Sequence, residues 1–188
     1  MSIDSYKRNV SKRVTGRSFP TCFPAALEQI SPNHGYRPNI YRDYSDFINW
    51  YCSLTLKERD KRLNEYEGMI SHMVKPLGGL ACEDLVLSRA TTPAGFLRVV
   101  RPLLSEGFRV TVDISRSGGK TATVHTVGLL PVETETDHVT LVSTSVPNCL
   151  SGIVTLRQVA DHLAISNLTY SAGYHPVNNA NILALPPI

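Results

Sequence analysis

The stretch "TATVHTVGLLPVETETDHVTLVSTS", residues 121–145, decides how the rest of this chain is read. Val, Thr and Leu dominate two runs, and a polar "ETET" at 133–136 separates them. Residues of that kind fit a pleated, half-buried surface, and a short polar break between two such runs predicts a hairpin. "FRVTVDIS", residues 108–115, has the same character, and "RSGG" divides it from the first run. From residue 108 onward the chain therefore reads as an antiparallel meander.

Ahead of the meander the pattern is helical. A helix is expected over 22–30, with Thr21 as cap and Pro24 tolerated in the first turn. "SPNHG" at 31–35 stops it, and "YRPNIYRDY" at 36–44 reads as an extended connection. Ser45 caps a short helix over 46–53. Thr55 and Glu58 have capping-box spacing and open a longer one, in which Leu56, Leu63, Tyr66 and Met69 recur at roughly helical intervals. After the break at Gly78 and Gly79, "ACEDLVLSRA" at 81–90 reads as a further helix. "TTPAGFLRVVRPLLSEG" at 91–107 reads as another, with Thr92 as cap, Pro93 at the first position and Gly107 as terminator. Beyond the meander, Thr155 precedes a helical "LRQVADHLA", and "NLTYSA" at 167–172 suggests a last strand. Helices first and sheet second indicate an α+β fold, with the helices on one side of the sheet.

Composition narrows the function classes. Among 188 residues, 42% are hydrophobic and 19% charged, enough for a packed core and too little charge for a disordered polyelectrolyte. A net charge of +3 does not by itself imply nucleic-acid binding. No run of about 18 apolar residues predicts a membrane span. The polar start, "MSIDSYKRNVSKR", has no apolar segment of the kind a secretory signal needs. Residues 1–18 hold Lys7, Arg8, Lys12, Arg13 and Arg17 against Asp4 and read as a flexible basic arm able to dock an acidic surface. Residues 19–188 read as a single domain, mainly helical over 19–107 and mainly sheet over 108–188. The four cysteines, Cys22, Cys52, Cys82 and Cys149, form no CxxC pair. They are read as free thiols in a reducing compartment, with no metal and no cofactor.

Two residues stand out chemically. Cys22 opens the first helix, where the dipole and the orphan N–H groups favour thiolate and can hold an oxyanion. Of six histidines, His125 alone interrupts the centre of an apolar and Thr-rich strand, a costly place unless the ring is hydrogen-bonded or functional. His138 is a second candidate, although its place beside an acidic turn suits a solvated edge. With the turn centred near 134–135, His125 should lie opposite residues 143–145. Strand alternation puts Val127, Leu129, Val139, Leu141, Ser143 and Ser145 on its face. Ser143 and Ser145 are then better placed than Thr144 to orient the imidazole, and Asn148 lies a little beyond. Asp137 reads as a turn residue too near in sequence to reach back.

These residues resemble a family. "TCFPAAL", residues 21–27, resembles the nucleophile-helix motif of papain-like cysteine peptidases, in particular the bacteriocin-leader-processing peptidases and related type III effector cysteine proteases. "HTVGLLPVETETDHVTLVSTS" resembles their histidine strand, turn and following strand. The motif likeness covers about 30 residues in two blocks. The resemblance implies a papain-like fold with Cys22 as nucleophile, His125 as general base and a third member near Ser143, where the family usually has Asp or Asn. It also implies an oxyanion-hole glutamine five or six residues ahead of the cysteine, and "TGRSFPT" has none. The implied activity is that of a peptidase or isopeptidase on a protein or peptide substrate, such as a host or ubiquitin-like protein. An amidase, deamidase or acyltransferase would share the same dyad, and an inactive interaction module would keep only its remnant. Compact size and the polar start fit a cytoplasmic protein or one delivered into a host cytosol.

Overall fold

The computed structural model describes residues 22–31, 35–78, 80, 82–115, 124–144, 150–163 and 180–188. The basic arm, Thr21, the "NLTYSA" segment, Ser145, Asn148, His34 and His175 lie outside the described residues.

The helices are α1 (Cys22–Ile30), α2 (Pro38–Ser53), α3 (Leu56–Asp60), α4 (Leu63–Val74), α5 (Pro93–Ser105) and α6 (Leu156–Asp161). The strands are β1 (Val86–Ala90), β2 (Arg109–Ser115), β3 (Val124–Val132), β4 (Glu135–Val142), β5 (Gly152–Thr155) and β6 (Ala180–Leu185). They form one antiparallel six-stranded sheet in the order β1-β6-β2-β3-β4-β5. The fold is α+β, and the β2-β3-β4 meander stands where it was expected.

Several local signals operate as read. Thr55 and Glu58 make the full capping box, and Thr155 makes a second one with Gln158. Thr92 accepts from the Gly95 N–H, Pro93 begins α5, and Gly107 takes φ 85° past its end. The hairpin turn is tighter than "ETET": Val132 pairs with Glu135, and a bulge at Pro131/Val132 absorbs the change of register.

Other expectations are corrected. Residues 36–44 are not an extended connection. Pro38 opens α2, its fixed φ suiting the first helical turn, and Ser45 is a buried residue inside α2 rather than its cap. The helix expected from Thr55 is two helices, broken at Arg62, whose ψ of 28° leaves the helical region. "ACEDLVLSRA" is a single 3₁₀ turn followed by strand β1, because β6 pairs with it through all five residues. Tertiary pairing overrides a weak local helical preference there. Asp137 lies within β4, exposed, accepting from Arg101 Nε at 3.0 Å.

The helices do not lie on one side of the sheet. Val110, Val112, Ile114, Val127, Leu129, Val139, Leu141, Ile182 and Ala184 pack on one face with Phe96, Val100 and Leu104 of α5 and Leu156, Val159 and Ala160 of α6. Leu183 and Leu185 belong to a second cluster on the other face, with Leu27 and Ile30 of α1, Tyr41 of α2 and Met73 of α4. Strand alternation produces both faces, so β2, β3 and β6 are covered twice over. The reason is visible in β2, which is buried at every position.

Candidate active site

The face of the sheet beneath α1 is unusually polar. Arg109, Thr111, Asp113 and Ser115 alternate along β2 toward it, and all four are buried. Thr126 of β3 pairs with Asp113 and shares that face. Two residues on, Gly128 provides the floor on which α1 rests. A Cβ there would overlap the side chains of Ile30 and Val142 and lie 3.5 Å from the Ala26 carbonyl oxygen. Glycine at 128 therefore lets the backbone of α1 come close to β3 and sets the height of its first residue above the sheet.

Cys22 is that first residue and a free cysteine. Pro24 costs little two residues later, because the first four N–H groups of a helix have no intrahelical partner. The thiol points at β3, where it donates to Thr126 Oγ1 at 3.7 Å. The Thr126 hydroxyl in turn donates to Asp113 Oδ1 at 2.7 Å, and Asn181 Nδ2 of β6 donates to Asp113 Oδ2 at 3.0 Å. Thiol, hydroxyl, carboxylate and amide thus form one continuous chain under the helix N-terminus.

The electrostatics run against the simplest expectation for a helix-start cysteine. Desolvation pushes the Cys22 thiol above its ordinary pKa, and the charge of Asp113 adds to that. Hydrogen bonds from Thr126 and from the Phe23 N–H act the other way, as a helix N-terminus should, but burial outweighs them. The resting sulfur is a thiol. Asp113 is also pushed up by burial, opposed by its bonds from Thr126 and Asn181.

His125 precedes Thr126 and is buried. Its Nε2 lies 2.7 Å from the main-chain oxygen of Ser143. A carbonyl only accepts, so Nε2 carries the proton, and in the neutral ring the lone pair sits on Nδ1. Ser143 follows the end of β4 and has φ 65°, in the left-handed region that a non-glycine residue seldom occupies. That conformation turns its carbonyl to the imidazole.

The structure therefore brings His125 and Ser143 together, through the carbonyl of Ser143 and not its hydroxyl. It does not bring Cys22 and His125 together: the thiol meets Thr126 on the α1 face of β3, whereas His125, one residue earlier, pairs with Ile114 and shares the opposite face with Val127 and Leu129. Ser145 and Asn148 lie outside the described residues. The other described histidines sit elsewhere: His138, partly exposed on the interior strand β4 opposite Thr155, bonds Glu135 at 2.6 Å, His72 bonds Asp43, and His162 bonds the Gln158 carbonyl. Among the described residues, no group of three or more His, Cys, Asp or Glu side chains could hold a metal ion, and no helix is long and apolar enough to cross a membrane.

Thr126, Asp113 and Asn181 were missed in the sequence. The signal for Asp113 was present, since an acid in the middle of "FRVTVDIS" is as costly there as a histidine in the middle of β3. Thr126 carried no signal, being one threonine among many in a β-rich stretch.

Fold and geometry together define an α+β domain with a thiol at a helix N-terminus, laid against a histidine-bearing strand. No protein-family model, no curated protein and no solved structure matches this chain.

Proposed function

We propose that this protein is a papain-like cysteine hydrolase that cleaves amide bonds in a protein or peptide substrate. One observation carries the reading: α1 holds the Cys22 thiol at its N-terminus, hydrogen-bonded to Thr126 of the strand that also bears His125. In the reaction, the His125 ring has to turn from the Leu129 face to the α1 face, where its Nδ1 takes the thiol proton as sulfur attacks the substrate carbonyl. The resulting imidazolium protonates the leaving amine, and water hydrolyses the thioester. Orphan N–H groups at the start of α1 are available to the oxyanion, which suits a chain with no glutamine just ahead of the cysteine. The basic arm would draw in an acidic protein surface, and an isopeptidase acting on a ubiquitin-like protein is the version most directly tested.

The test is alkylation of Cys22 by iodoacetamide near neutral pH, mapped by mass spectrometry, followed by a ubiquitin probe with an electrophilic C-terminus. Selective labelling of Cys22 that falls about tenfold or more in His125→Ala is expected, the lower part of the usual range for a general base. Equal labelling of wild type and His125→Ala would remove His125 from the mechanism. The protonated resting thiol favours a site that ionises only once substrate or a partner arrives. Labelling that stays slow until a partner is added would match the same chemistry under that control.

A further inference from the structure

The proposed reaction uses Cys22 and His125, with Ser143 holding the imidazole, and leaves Thr126 and Asp113, the buried pair beneath Cys22, without a task. Asp113 receives a side-chain hydrogen bond on each carboxylate oxygen, from Thr126 and from Asn181, and the main-chain N–H of Asn181 adds another. Both partners act as donors, an arrangement suited to an ionised carboxylate. Thr126 has a single hydroxyl proton, and it is spent on Asp113. The thiol can then only donate to the Thr126 oxygen, as it does at 3.7 Å. A thiolate has the main-chain N–H groups of Thr126 and Phe23 as donors and would gain a further one if that hydroxyl proton pointed at sulfur. Carboxylate and thiolate thus compete for one O–H, and the carboxylate holds it in the resting structure.

We propose that Asp113, acting through the hydroxyl of Thr126, is a positioning residue that holds Cys22 in its protonated resting form until that hydroxyl turns to the sulfur. This deepens the hydrolase reading, on which it rests for its biological meaning, while the arrangement itself involves only Cys22, Thr126, Asp113 and Asn181. No covalent step is added, only a rotation of one hydroxyl and release of the thiol proton to the base. Burial sharpens the competition, since a charge–dipole interaction under α1 is weakly screened. Asp113 is the charged group acting on the thiol among the described residues.

The experiment measures the rate of iodoacetamide labelling at Cys22 at pH 7, with the other three cysteines as internal reference, in wild type, Asp113→Asn, Thr126→Val, Thr126→Ser and His125→Ala. Asp113→Asn removes the competing charge and frees the hydroxyl, so labelling of Cys22 rises. A tenfold gain in thiolate, offset by the lower nucleophilicity of a less basic sulfur, gives a net rise of about threefold. Thr126→Val removes the hydroxyl, leaves the charge, and slows labelling by a similar factor. Thr126→Ser restores the wild-type rate. Opposite signs at two touching residues are not what a merely structural role produces. A fall or no change in Asp113→Asn overturns the proposal. Should Asp113→Asn unfold, seen as faster labelling of all four cysteines, Thr126→Val decides alone. Unfolding can only accelerate labelling, so a slower rate there supports the proposal whatever the fold, and an unchanged or faster rate at Cys22 with the other three cysteines unchanged overturns it. The hydrolase reading fails separately, through an unaltered rate in His125→Ala, and leaves the two opposed effects measurable.

Discussion

Gly128→Ala isolates the contact that sets the height of the nucleophile helix. The added methyl meets Ile30 and Val142 side chains on one side and the Ala26 carbonyl at 3.5 Å on another. Gly128 has no positive φ, so alanine is allowed by its backbone, and its lower unfolded-chain entropy gives back about 0.5–1 kcal/mol. Overpacking a dense core costs about 1–3 kcal/mol. The net expectation is a loss of about 1–2 kcal/mol, or a Tm lower by about 2–8 °C for a chain of this size. Thermal and urea unfolding followed by circular dichroism measure it. The overlapping atom on α1 is Ile30 Cγ2, which Ile30→Ala removes. Ile30→Ala alone costs about 2–5 kcal/mol by leaving a cavity. In the double variant the new methyl occupies part of that space, so the two losses combine to about 1–2 kcal/mol less than their sum. Strict additivity, or a neutral Gly128→Ala, would refute the claim that this glycine exists to admit α1. Because α1 carries Cys22, the single variant should also loosen the thiol from Thr126 and change its labelling rate, and the double variant should restore it.

Two further expectations follow from the site. Asp113 is held above the usual aspartate pKa, so the native state binds its proton more tightly than the unfolded chain does. Its contribution to stability is complete below the unfolded value of about 4 and is lost as pH rises through the folded value. Urea unfolding between pH 4 and 8 should therefore show a falling component that Asp113→Asn flattens; an identical profile in the variant would contradict this. Ser143 serves His125 through its carbonyl, so Ser143→Gly, which suits the left-handed φ, should keep Cys22 labelling and its His125 dependence within about twofold, whereas a tenfold loss would assign the task to the hydroxyl.

Local chemistry made much of this molecule legible in sequence. The caps at Thr55, Thr92 and Thr155 satisfy their own helix N-termini, and the β2-β3-β4 meander is written in adjacent residues. The pairing of Leu129 with Leu141 puts Val127, Leu129, Val139 and Leu141 on one face with His125, as alternation required, and that face is the one covered by α5 and α6, opposite α1. What was not legible depended on distant partners. β1 is a strand because β6 lies beside it, almost a hundred residues later. "ANILAL" at 180–185 is short and has no alternation of its own, yet it becomes an interior strand between β1 and β2. The second helical layer could not be inferred from β2 taken as a half-polar strand, because its polar residues face a covering helix instead of water. The same inversion hid Asp113: alternation in "FRVTVDIS" looks like a solvated edge until α1 is laid over it.

Arg109 gives the nucleophile helix an asymmetry of charge. Its guanidinium donates to the carbonyl of Ile30, the last residue of α1, and to that of Pro186 at 3.0 Å. Desolvation lowers its pKa, but a guanidinium starts so high that it stays protonated at neutral pH. A full positive charge therefore sits at the negative pole of α1, about 13 Å from Cys22 along a helix of nine residues. It cancels the pole that would oppose the one facing the sulfur, and it does so through protein, where dissolved ions screen little. The potential that meets an emerging thiolate is thus set from both ends of the helix, and its distant half is supplied by a strand residue bonded to a main-chain carbonyl.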